Sequence, residues 1–93
     1  MTKSELIEKI SLSYPHLYHK DIADVVETIF YEISHALMSN RRVELRGFGS
    51  FFIKKRNARI ARNPRTGGSV MVQERWNVFF RTGQNLKKNL NSA

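Results

Sequence analysis

The chain contains no cysteine, which excludes a disulfide framework and any thiolate metal site. It has no run of about 18 apolar residues, so no segment reads as a membrane span. Acidic side chains are scarce, eight against sixteen basic ones, and they lie mostly on helix faces, where solvation or ion pairing accounts for them. There is no Gly-rich phosphate loop and no Ser/His/Asp arrangement, so no catalytic residues are assigned and no small-molecule substrate is expected. His16, His19 and His35 match no zinc spacing, so structural or solvent-facing roles are expected, with no metal and no cofactor. The first residues lack the basic-then-apolar layout of a signal peptide, and a cytoplasmic location is expected. Proline is nearly absent too, occurring only at Pro15 and Pro64.

What the chain does have is positive charge, unevenly placed. Its 93 residues carry a formal net charge of +8. Residues 1–40 hold three basic and six acidic side chains. Residues 41–65 hold nine basic ones, among them Arg41, Arg42, Arg46, Lys54 and Lys55, against Glu44 alone. Residues 66–93 add Arg75, Arg81, Lys87 and Lys88 against Glu74. A cationic middle on an acidic scaffold favours a nucleic-acid partner over a merely solvated surface.

Local patterning gives the elements. Thr2 followed by Glu5 fits a capping box, and Leu6, Ile7 and Ile10 then share a helical face, with Pro15 after the helix. A longer helix starts near His19 to Asp21. Its apolar positions Ile22, Val25, Val26, Ile29, Phe30, Ile33, Ala36 and Leu37 fit a period near 3.6. That stripe is wide enough to suggest burial on two sides, and Ser39-Asn40 breaks it. Arg42 to Arg46 alternates polar and apolar, so it reads as a half-buried strand. Gly47-Phe48-Gly49 reads as a turn that needs residues without a Cβ. Ser50 to Arg56 resumes as a strand. Residues 57–68 have few large apolar groups and read as an extended, mobile excursion, with Val70 to Gln73 as its returning strand. Asn77 to Arg81 is a third core strand, and Thr82 or Gly83 opens a short basic helix.

Phe51-Phe52 and Phe79-Phe80 are adjacent pairs, and strand neighbours point to opposite faces. Both faces of the sheet are therefore expected to be apolar there and covered. One small chain can hardly supply two covers, so an intertwined dimer is expected, with Phe48, Phe51 and Phe80 in its core.

The segment Arg62-Asn63-Pro64-Arg65-Thr66-Gly67 combines turn signals with a rigid proline between two arginines. Pro64 is compact, apolar and locked near φ of about −65°; on the residues alone it reads as an ordinary turn proline, and the role of a wedge between stacked base pairs comes only with a family resemblance. Arg56, Arg59, Arg62 and Arg65 would lie along the groove and its phosphates, and Asn63 would reach base edges. Glu44 and Arg46 are two apart on a strand. Glu44 is thus expected to steer Arg46 toward a modest reading of the minor groove. Lys3, Arg42, Lys54, Arg75, Arg81 and Lys87 complete the expected DNA contacts, helped by amides at the last helix's N-terminus.

The turn Gly47-Phe48-Gly49-Ser50-Phe51 and the arm tip Arg62 to Gly67, at this spacing, resemble the bacterial HU/IHF family of DNA-bending proteins over essentially the whole length. Met1 to Ile7, and Arg46 directly before Gly47, look like the beta-subunit branch, that of integration host factor. The resemblance implies an α+β fold in a single 1–93 domain. Residues 1–40 would form a helical dimerisation base, 41–83 a three-stranded antiparallel sheet with a β-ribbon arm at about 55–74, and 84–93 a C-terminal helix. It implies minor-groove binding of double-stranded DNA with an intercalating wedge, a mechanism known for HU and IHF and carried over here. It further implies a nucleoid-associated protein assisting recombination, replication and transcription, paired with a related alpha subunit. A homodimer with little sequence preference and an RNA-binding, translation-regulating module are the alternatives. The chain departs from the family pattern at Val78 and Thr82, where similar proteins often carry proline, and at Ile60-Ala61, where Thr-Gly is common.

Overall fold

The first helix begins where Thr2 supplies a side-chain oxygen. Its Oγ1 accepts the Glu5 N–H at 3.2 Å, satisfying one of the amides that a helix start leaves unpaired. In the computed structural model, which describes residues 1–92, α1 then runs Lys3–Ser13 and α2 runs His19–Met38. Asn40 ends α2 in the left-handed conformation, at φ 57°, and the Arg41 N–H closes back on the Ala36 carbonyl at 2.9 Å. The strands are β1 (Val43–Leu45), β2 (Gly49–Arg56), β3 (Arg59–Arg62), β4 (Ser69–Val72) and β5 (Arg75–Thr82), followed by α3 (Gln84–Asn91). Ala93, the end of the expected last helix, lies outside the described residues.

The chain divides into two compact units, one of residues 1–35 and one from Ala36 onward. In the first, Ile7, Ile22 and Val26 are buried, with Leu6, Ile10 and Ala23 packed against them. This is one side of the wide α2 stripe. On the other side Val25, Ile29 and Phe30 remain exposed, and an apolar groove opens between Ile10, Tyr14, Leu17, Val25 and Ile29.

In the second unit, β1, β2 and β5 form one antiparallel sheet with β2 in the centre, and β3 pairs with β4 in a separate two-stranded sheet. The turn between β1 and β2 holds Gly47 at φ 87°. Gly49 is already the first residue of β2 and not part of the turn. It must lack a side chain for another reason: a Cβ there would sit 2.5 Å from both the Arg81 carbonyl oxygen and the Phe80 ring. β5 begins two residues earlier than the sequence pattern suggested, and it runs unbroken through Val78 and Thr82, which pair with Ile53 and Gly49. A proline at either position could not donate to that ladder. The start of α3 is tied to the β1–β2 turn by two hydrogen bonds. Gly83 N–H donates to the Phe48 carbonyl at 2.8 Å, and Leu86 N–H to the Gly47 carbonyl at 3.2 Å.

The register sorts the sheet's side chains into two unlike faces. Val43, Phe51, Phe80, Ile53 and Val78 fall on one face, and Glu44, Phe52, Lys54, Phe79 and Arg81 on the other. Each adjacent pair thus puts a phenylalanine on either face, Phe51 and Phe80 on one and Phe52 and Phe79 on the other, but the surroundings differ, apolar around the first pair and cationic around the second.

Candidate nucleic-acid interface

The arm is built by pairing alone. Its register, Arg59↔Val72, Ile60↔Met71, Ala61↔Val70 and Arg62↔Ser69, brings together side chains too few and too small to make a core. Ile60 and Met71 are 71% and 61% exposed. Residues 59–62, expected as part of an extended excursion and, from the resemblance, of a β-ribbon arm, form a strand, because a ladder satisfies backbone groups even where no apolar cover exists.

At the tip, local hydrogen bonds take over. Asn63 Oδ1 accepts the Arg65 N–H at 2.9 Å, and Thr66 Oγ1 accepts the Gly68 N–H at 3.2 Å. Asn63 N–H donates to the Gly68 carbonyl at 2.8 Å, and the Asn63 carbonyl accepts the Gly67 N–H at 2.7 Å. Gly67 completes the reversal at φ 73°. Short polar side chains bonding to backbone two residues on are the usual chemistry of such turns. They hold Pro64 at the apex, exposed, with Arg62 and Arg65 exposed on either side. Asn63 is half-buried and engaged in the turn, so its first role here is to shape the tip.

At the arm's base, Arg56, Asn57, Arg59, Gln73 and Arg75 line a polar groove of about 310 Å³. Arg56 and Arg75 are direct cross-strand partners, and like charges directly opposite are unfavourable unless an anion lies between them. Lys55, on the other face, is held by Glu74 at 3.2 Å.

On the cationic face of the body, Phe52 and Phe79 stack with centroids 5.9 Å apart and planes 17° from parallel. Arg42, Lys54 and Arg81 lie over Phe52 and Arg56 and Lys54 over Phe79. Each such contact contributes about 0.5–1 kcal/mol at an exposed site. Sequence reasoning placed these cations but missed what holds them. The period-2 pattern could have put Phe52, Lys54 and Arg56 on one face. Only the register sets Phe79 opposite Phe52.

The expected steering of Arg46 by Glu44 takes a different form. Arg46 belongs to the turn and not to β1, so strand periodicity does not align it with Glu44. The Glu44 carboxylate instead pairs with Arg42 Nε at 3.0 Å. Lys3 lies in the helical unit and is ion-paired with Glu27. Lys87 is exposed on α3. At that helix start the Leu86 amide is already taken by Gly47.

The apolar face carries the other phenylalanines. Phe51 and Phe80 lie 4.8 Å apart, and Phe48 lies 5.2 Å from Phe80. Phe48 and Phe80 remain 47% and 42% exposed. Beside them Leu37, Met38, Ile53, Trp76 and Val78 line an open apolar cleft of about 500 Å³. Exposed apolar surface of this extent marks an interaction site.

Residues 1–91 match the family model described as bacterial DNA-binding protein. Among solved structures, the chain is similar to HU from Anabaena in a cocrystal with DNA. That likeness has 27% identity, covers 100% of both chains and has a TM-score of 0.86. It is also similar in fold to a point mutant of HU from Thermotoga maritima, at 24% identity and a TM-score of 0.69, covering 98% of this chain and 100% of that one.

Proposed function

We propose, on the premise that this chain belongs to the bacterial DNA-binding protein family of HU and its relatives, that it bends double-stranded DNA by entering the minor groove with its arm and wedging Pro64 between base pairs. Members of this family are architectural proteins and not enzymes. The observation that carries the reading is the arm tip: an exposed, conformationally locked proline at the apex of a hydrogen-bonded turn, flanked by two exposed arginines. The HU from Anabaena that matches along the whole chain was crystallised with DNA. Unstacking one base step costs on the order of a few kcal/mol. Arg59, Arg62 and Arg65 offset this cost through the groove and its phosphates, as do the Arg56–Arg75 pair at the arm's base and the cations of the body. Contacts to the body form only when the duplex curves down to it, so bending and affinity are coupled.

The apolar face of the sheet is the surface for a second subunit, with Phe48, Phe51 and Phe80 in the shared core and two arms per assembly. Among the described residues no helix is long and apolar enough to cross a membrane, and a nucleoid-associated role in the cytoplasm follows from DNA binding. The finer reading is a beta-type subunit of integration host factor, partnered by a related alpha subunit and assisting recombination, replication and transcription. A homodimer of HU type fits the same fold, and co-purification with a second, similar chain separates the two.

The test of bending is ring closure of short DNA fragments. The wild-type protein should accelerate closure, and Pro64→Ala should reduce the acceleration by about tenfold, since an uninserted tip leaves the step stacked. Equal closure rates for both proteins remove the wedge from the mechanism.

A further inference from the structure

We propose that the stacked Phe52–Phe79 pair is a positioning element that holds Arg42, Lys54, Arg56 and Arg81 as a pre-ordered phosphate-binding array on the sheet. The inference rests on the reading of the chain as a double-stranded DNA binder. The guanidinium carbons of Arg42 and Arg81 lie 5.6 and 5.8 Å from the Phe52 centroid. Arg56 lies 5.3 Å from the Phe79 centroid. The Lys54 ammonium is shared, 5.6 Å from one ring and 5.8 Å from the other. All fall within the roughly 6 Å over which the negative face of a ring attracts a cation.

The two rings are not explained by the apolar core, which Phe48, Phe51 and Phe80 supply on the opposite face. Four cations crowded on one face repel one another and, left alone, would spread into solvent. A carboxylate would gather them, but it would also repel the phosphate they are to bind. For Lys54, Arg56 and Arg81 a ring face does the gathering without that penalty, and Arg42 alone also gives its Nε–H to the Glu44 carboxylate on the same face. Side chains already restrained lose less entropy when the duplex arrives. The occupied ring faces also argue against the competing use, stacking of single-stranded bases, which needs those faces open.

The experiment uses the full chain in its assembled state, with Phe52→Leu/Phe79→Leu compared to Phe52→Tyr/Phe79→Tyr. Leucine keeps an apolar group of similar reach and removes the ring face, whereas tyrosine retains it. On a duplex long enough to reach the body, the leucine variant should bind about tenfold more weakly at moderate salt. Its log–log salt slope should be shallower by about 1–2. The tyrosine variant should bind within about twofold of wild type. Without DNA, the Lys54 side-chain protons should be ring-current shifted in the wild-type and tyrosine proteins and unshifted in the leucine one. If the double leucine variant melts out, Phe79→Leu alone, with Phe52 still holding Arg42 and Arg81, should give about half the slope change.

Wild-type affinity and slope in the leucine variant, or equal losses with leucine and tyrosine, overturn the proposal. So does a loss confined to a single-stranded oligonucleotide, which would assign the rings to base stacking. A wild-type protein that fails to bind duplex at all overturns the functional reading itself, and this inference with it.

Discussion

The three-stranded body sheet and the two-stranded arm share one backbone geometry and one excess of positive charge, yet they treat that charge in opposite ways. In the body, Arg42, Lys54, Arg56 and Arg81 rest on phenylalanine rings, and Arg42 and Lys55 also pair with carboxylates. In the arm, Arg59, Arg62 and Arg65 have neither a ring nor a carboxylate partner among the described residues. Arg46 and Arg75, at the turn and at the arm's base, are likewise unheld. The difference teaches a division of labour. A rigid surface gains by ordering its cations in advance, because the entropy is lost on folding and not on binding. A ribbon with no core gains by leaving its cations free to follow a groove whose width changes as the duplex bends.

The strongest blow to this contrast is struck at the arm. Replacing Arg62 and Arg65 together by alanine should weaken duplex binding roughly 30- to 100-fold at moderate salt and flatten the salt slope by about 2. Because the arm has no core, the melting temperature should stay unchanged. A binding titration showing less than a threefold loss would mean the arm cations do not bear on the duplex.

The complementary change is in the body. Gly49→Ala forces a methyl group against the Arg81 carbonyl and the Phe80 ring, each 2.5 Å from the new atom. Overpacking of this kind costs roughly 1–3 kcal/mol, which for a domain of this size lowers Tm by about 5–15 °C. Calorimetry checks it, and an unshifted transition would show that β2 and β5 separate without strain.

The smallest effect sits between the two regions. Arg46 is an unheld cation on the body, so it should behave like the arm. Arg46→Ala should cost about 1 kcal/mol more on a preferred site than on a scrambled one, within the limits of the degenerate minor-groove code. Equal losses on the two sequences would reduce Arg46 to a phosphate contact.

Much of this was legible in the residues. The helix starts at Thr2 and His19, the break at Ser39-Asn40 and the outline of the strands follow from caps, period and turn chemistry, each a property of a few neighbouring residues. The tip was legible for the same reason, since Asn63, Pro64, Thr66 and Gly67 shape it through contacts no more than a few positions apart. The partner of Glu44 was not. Strand periodicity pointed to Arg46, but the turn begins there and carries it off the strand, so Arg42 takes the carboxylate. Phe52 and Phe79 were legible as apolar residues on the face opposite Phe51 and Phe80, but their stacking on each other was not, because it depends on a pairing between strands far apart in sequence.

The sequence by itself determined the elements, the uneven charge, the proline-bearing turn and the family resemblance, because these rest on local sterics, hydrogen bonding and motif spacing. Only the tertiary structure decided which cations are gathered on rings and which are left free, and which aromatic residues lie exposed on the apolar face. Those outcomes depend on the register of β1, β2 and β5. In an antiparallel sheet a shift of one residue exchanges the two faces; the tight turn after Leu45 fixes β1 against β2, but β2 and β5 are joined only through the whole arm, so no local turn sets their register.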